Sequence, residues 1–282
     1  MTKKILLKTT IDTEDDWHIG RFSLLKRHLE SCGHAVTASD RLDPDGHDVD
    51  FAQLPDSDFD QLWLFAVDAE DAITDHDADA LRRFRKRGGG MLITRDHQDM
   101  GASLLKLGDI GAAHHFQDHN PEPDVARHCV DDLETDYISW PNYHTGANGD
   151  FQVIETPVPE HPLVLRADGT PIQYLPAHPH EGVVSLPRDA TDYASVIITS
   201  CSLTTGNAFC SAVAFDAVQD ARGNTLGRAV AQSTLHHFVD PNLDPAQPMP
   251  SFVSEPSGRG IAESPDALRD SLRYIENIAR WL

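Results

Sequence analysis

Three short stretches gather side chains that can move protons. "RDHQD" sets Asp96 beside His97, "LPAHPHEG" sets His178, His180 and Glu181 in a proline-stiffened turn, and "TLHHFVD" sets His236 beside His237. A carboxyl next to an imidazole is a common acid/base combination, so Asp96, His97, His180, Glu181 and His236 form the candidate catalytic set. Histidines at i and i+2 of an extended segment can point the same way. His178 and His180, joined by His237, are therefore the candidate ligands for a divalent metal such as zinc, the one cofactor the residues suggest. Of the adjacent pair His236 and His237, one is expected in the site and the other packed outward. His114, His115 and His144 are secondary candidates. The spacing matches no HExxH, GxSxG, P-loop or GxGxxG pattern. A plainer reading of "RDHQD" is a local ion pair and helix cap made by Arg95, Asp96 and Asp99.

These residues need elements to hold them. "KKILLKT", "HAVTASD", "QLWLFAV" and "GMLIT" read as strands, the first, third and fourth apolar throughout, as strands buried on both faces are. Phe22, Leu25 and Leu29 recur at helical spacing before Gly33. "TDHDADALRRFRKRGGG" predicts a helix capped by Thr74, acidic at its start and basic at its end, which complements the helix dipole. The basic run therefore reads as helix-end chemistry, not a phosphate site. Alternating strands and helices imply a mainly parallel sheet between helix layers, a three-layer αβα flavodoxin-like sandwich. The rhythm breaks between about 109 and 190, a loop-rich insertion with brief apolar runs such as "FQVIE". It resumes with "YASVIITS", "AFCSAVAFDA", "GRAVAQST" and a last helix from Pro265 to Leu282. The chain is expected to form one α/β domain, residues 1–282, with the insertion over one end of the sheet.

The balance of 23 basic against 45 acidic residues gives a net charge of -22, a surface that repels phosphate backbones. The expected partner is a small-molecule substrate, neither nucleic acid nor membrane, with a homo-oligomer left open. No apolar run approaches a membrane span or a signal peptide. The four cysteines are scattered, which suits reduced thiols in a cytoplasmic protein.

"GGGMLIT" and "GNTLGRAVAQSTLHHF", in this order of elements, resemble the class I glutamine amidotransferase-like superfamily, and within it the ThuA-like (trehalose utilisation) group. The likeness covers roughly the first hundred residues and Tyr193 to Asp240, and it leaves the insertion unmatched. It implies a cysteine at the turn after the fourth strand and a histidine after a late strand. The turn here offers Arg95 or Asp96 and no thiol, while His236 fits the late histidine. Glutaminase chemistry needs a thiolate beside a base, so that activity does not carry over. What the resemblance implies instead is a ThuA-like enzyme using acid/base chemistry on a small polar, carbohydrate-derived metabolite. The rival expectation is a non-catalytic binding or scaffold protein that retains the fold.

Overall fold

The computed structural model describes residues 1–11, 15–42, 46–67, 72–116, 119, 145–179, 182–219, 223 and 225–282. Its strands are β1 (Lys4–Thr9), β2 (Ala35–Ser39), β3 (Gln61–Phe65), β4 (Gly90–Thr94), β5 (Phe151–Val153), β6 (Tyr174–Pro176), β7 (Ala194–Cys201), β8 (Ala208–Phe215), β9 (Val218–Gln219), β10 (Thr225–Leu226) and β11 (Ala229–Gln232). Its helices are α1 (Ser23–Ser31), α2 (Val49–Gln53), α3 (Asp75–Lys86), α4 (Asp240–Leu243), α5 (Gly260–Glu263) and α6 (Pro265–Trp281).

Seven strands form one sheet in the order β2-β1-β3-β4-β11-β8-β7. The first five run parallel, and β8 is antiparallel to both its neighbours. Order 2-1-3-4 is the flavodoxin-like arrangement, and its strands are apolar on both faces for a visible reason. Ile5, Leu7, Trp63, Phe65, Leu92 and Val230 pack with Leu25 and Leu29 of α1 and Ile275 and Ile278 of α6. The alternate residues Leu6, Leu62, Leu64, Met91 and Ile93 pack with Leu81 and Phe84 of α3. The α/β sandwich read from the sequence is the fold observed.

Local signals hold in detail. Thr74 Oγ1 accepts from the Asp77 amide, and the Asp77 carboxylate accepts from the Thr74 amide, a reciprocal cap at the start of α3. Arginines at the other end serve carbonyls: Arg85 donates to Gly227 O, and Arg87 to Ser57 O and Phe59 O. In the insertion, β5 and β6 pair antiparallel, and an isolated bridge joins Glu155 to Thr199 of β7. No helix among the described residues is long and apolar enough to cross a membrane.

Candidate functional site

β4 and β11 are direct parallel neighbours, with Thr94 opposite Gln232 at their carboxyl ends. The segments that follow them therefore leave one edge of the sheet side by side, the edge where ligands bind in such folds. Leu235 N donates to Arg95 O at 3.0 Å and keeps the two segments together beyond the strands. After β4 the chain turns sharply. Gln98 has φ 52, a left-handed conformation unusual for a side-chain-bearing residue, and Gly101 closes the turn at φ 85. A Cβ on Gly101 would lie 2.9 Å from Ala66 O and 3.1 Å from Arg95 Cβ, so the turn needs glycine for space as well as conformation.

The two candidate elbow residues face different ways. Arg95 is fully buried, its guanidinium 4.4 Å from the Phe116 ring centroid, donating to His115 O at 2.6 Å and to Gln98 O. Arg95 thus binds the turn to the start of the insertion. Asp96 is also buried, but its Oδ1 accepts from the His97 amide at 2.9 Å and lies 3.2 Å from His97 Nδ1 and 3.7 Å from His236 Nε2. Burial alone would raise this carboxyl; the charge of His97 and the polar contacts with His236 and His97 outweigh it and hold Asp96 well below the usual carboxylate range.

His236 sits in a short 3-10 turn capped by Thr234, whose hydroxyl accepts from the His236 amide at 3.0 Å. Its Nδ1 meets Asn148 Oδ1 at 2.8 Å. An amide oxygen only accepts, so Nδ1 carries a proton, and Nε2 is the nitrogen turned to Asp96, a base while the ring is neutral and a donor to the carboxylate once the ring is protonated. Trp17 packs edge-on against the imidazole with centroids 5.0 Å apart. Asp16, beside it, is raised: burial pushes it up and the negative charge of Asp96 adds to this, against the Trp17 amide and Arg21. The two carboxyls Asp16 and Asp96 thus have their proton affinities pushed apart, one raised and one lowered, the pattern that separates acid from base.

The loop carrying Asp16 and Trp17 is held by the β11 side. The Asp240 carboxylate accepts from the amides of Ser23 and Leu24 and from Ser23 Oγ, which ties the start of α1 to the segment after His236. Asn148 is placed in a similar way. Asn242 accepts from the Gly149 amide at 2.5 Å and donates to His236 O at 2.7 Å, which clamps the insertion to the same turn.

His237 is buried like His236 and does not pack outward. It turns to the opposite side, into a chain of hydrogen bonds. The Tyr274 hydroxyl donates to Gln232 Oε1 at 2.7 Å, Gln232 Nε2 donates to His237 Nδ1 at 2.6 Å, His237 Nε2 donates to His178 Nδ1 at 3.3 Å, and His178 Nε2 donates to Ser233 Oγ at 2.7 Å. Burial is the main cause that lowers both histidines, His237 to about 3 and His178 well below its ordinary value, so both rings are neutral at pH 7. All four ring nitrogens are engaged in the chain. Its direction makes Ser233 an acceptor from His178, so His178 does not act on this hydroxyl as a base.

The sequence-selected residues thus divide. Asp96, His97 and His236 meet at one point, with His178 and His237 in the layer behind them. His180, Glu181 and His144 lie outside the described residues. His115 bonds Ser185 Oγ at 2.6 Å, and His114 is buried with neither ring nitrogen hydrogen-bonded among the described residues. Asp16, Trp17 and Asn148 were not selected from the sequence. The only sequence signal for Asp16 and Trp17 is their position in the loop after β1, which must open on this edge.

Fold and site together define an α/β protein with a carboxyl–imidazole centre at the carboxyl edge of a mainly parallel sheet, where a thiol is absent from the turn after β4. No protein-family model matches the sequence, and no curated protein matches it. Among solved structures, cytoplasmic protein STM3548 from Salmonella typhimurium aligns with a TM-score of 0.52 at 10% identity, covering 97% of this chain and 98% of that one. The N-terminal domain of mmIFT52 aligns with a TM-score of 0.51 at 13% identity, covering 86% and 90%. The glutaminase domain of Trypanosoma brucei CTPS with bound acivicin gives 0.48 at 11% identity, over 100% and 97%. With the first two, the likeness is one of fold.

Proposed function

We propose that this chain is an acid/base enzyme acting on a small polar metabolite, with Asp96 and His236 as its proton-transfer unit and Asp16 as the second carboxyl. The observation that carries the reading is the oriented imidazole. Asn148 takes Nδ1, and Nε2 faces Asp96 at 3.7 Å. That separation exceeds a direct hydrogen bond, so a substrate hydroxyl or water that reaches the pair would bridge it. His236 Nε2 takes the proton, the Asp96 carboxylate stabilises the imidazolium that forms, and Asp16, the carboxyl with the raised proton affinity, returns a proton to the leaving group or carbon centre. His97, whose side chain is 23% exposed, stands at the solvent side of Asp96 and orients it. A carbohydrate-derived substrate is the finer part of the proposal and rests on the ThuA-like resemblance. Glutaminase activity is not proposed, because no thiol stands in the turn from Thr94 to Gly101.

The test is incubation of the purified chain with a panel of sugars, sugar acids, lactones and other small polar metabolites, followed by mass spectrometry. Asp96→Asn and His236→Gln are run beside the wild type. Turnover of a panel member that falls by about a hundredfold or more in both variants supports the proposal, as loss of a general base does. Turnover indifferent to both substitutions, or none across the panel, counts against it.

A further inference from the structure

On the face of the sheet covered by α1 and α6, away from the acid/base centre, three potential metal ligands of different chemistry converge. His28 and Cys32 are four residues apart at the end of α1, so their side chains share one side of the last turn. Glu276 reaches them from α6. His28 Nε2 lies 3.6 Å from Glu276 Oε1 and 3.9 Å from Cys32 Sγ, and the three ligand atoms all lie within 4.8 Å of one another. We propose that His28, Cys32 and Glu276 form a binding site for a thiophilic divalent cation of the zinc class.

The distances fit that ion. Bonds of about 2.0–2.3 Å from zinc to nitrogen, oxygen and sulfur, arranged tetrahedrally, set ligand atoms roughly 3.3–3.8 Å apart. The His28–Glu276 edge already has this length, and the His28–Cys32 edge is nearly so. The third edge, Cys32 to Glu276, lies within the 4.8 Å that spans all three ligand atoms. The thiolate selects against magnesium and calcium, which prefer oxygen donors. Glu276 is already oriented: its Oε2 accepts from Arg273 Nη1 at 3.1 Å and Arg280 Nη2 at 3.2 Å, which turns Oε1 toward His28. An open groove of about 650 Å³, lined by His28 and Glu276 among others, gives an entry path and room for a water as fourth ligand. Binding displaces one proton, from the Cys32 thiol, and forms one metal–sulfur bond. The ion then joins the end of α1 to α6.

Cobalt(II) is the probe, added to the full, untagged, metal-stripped chain and followed by absorption. The site requires one equivalent to produce a thiolate-to-cobalt charge-transfer band, with visible bands of tetrahedral intensity, and zinc to bleach both. Cys32→Ser must abolish the charge-transfer band, and His28→Ala must weaken cobalt binding by about tenfold or more. Cys201→Ser, on β7, must leave the band intact and serves as the folded control. A band that survives Cys32→Ser, or an absence of any charge-transfer band in the wild type, overturns the assignment.

Discussion

His236 Nε2 and Asp96 Oδ1 face each other at 3.7 Å across the carboxyl ends of two adjacent parallel strands. Both groups are buried, yet the contacts of Asp96 with His97 and His236 outweigh the burial and depress its proton affinity in the folded state. A depressed carboxyl contributes stability that is present above its unfolded value, near about 3.9, and is lost as pH falls toward the folded value. Asp96→Asn should therefore flatten the acid limb of stability against pH, in denaturant titrations below about pH 4. An acid limb identical to that of the wild type would contradict the ionised assignment.

Buried, neutral His178 and His237 produce an opposite-looking liability at milder pH. Both are lowered in the folded state, His237 to about 3, so the unfolded chain binds their protons first. Stability is fully present above about pH 6.5, the unperturbed histidine value, and falls as pH drops below it toward the folded values. His237→Gln should reduce the loss of stability measured between about pH 6.5 and 4, relative to the wild type. A steeper loss in the variant would show that His237 is charged in the fold.

Asn148 defines the tautomer of His236. Asn148→Ala should lower stability by about 1–3 kcal/mol, the cost of leaving a buried donor unsatisfied, measured by chemical denaturation. Asn148→Asp should instead keep the contact and favour the imidazolium, altering the pH profile of turnover while the fold is retained.

Much of this architecture was legible because its causes are local. The limits of β4 follow from "GMLIT" between glycine and a polar turn, and α3 follows from Thr74, its acidic first turn and its basic last turn. Asp96 and His236 were legible because each lies in the short segment that follows an apolar strand. Asp16, Trp17 and Asn148 carry no such signal. Trp17 and Asn148 are brought to His236 by contacts distant in sequence, the Asp240 carboxylate on the start of α1 and Asn242 on Gly149, which no periodicity encodes. His178 and His237 were grouped from the sequence as metal ligands; that they meet instead as links in a hydrogen-bonded chain, across 59 positions, depends on Gln232, Ser233 and Tyr274, whose placement no local pattern encodes.

The turn that presents Asp96 depends on Gly101. Gly101→Ala should cost at least about 1–2 kcal/mol from its positive φ alone. Contact of the new Cβ with Ala66 O and Arg95 should also displace Asp96. Thermal denaturation and turnover are both expected to fall; a variant with wild-type midpoint and rate would contradict the close approach.

No covalent nucleophile is expected at this edge. Burial pushes the Cys210 thiol up, and Ser233 accepts its hydrogen bond from His178. Neither glutamine-analogue electrophiles nor serine-directed organophosphates should inactivate the protein. Stoichiometric labelling of any residue with loss of turnover, read by mass spectrometry, would contradict the acid/base account.

Whether Asp96 and His236 work as one unit is tested most directly by a double-mutant cycle on kcat/KM, with the substrate identified by the metabolite panel. The account predicts that Asp96→Asn, His236→Gln and the double variant lose comparable activity, because removing either group disables the same proton transfer. Losses that multiply in the double variant would show two groups acting independently, and would contradict the proton-transfer pair on which this reading stands.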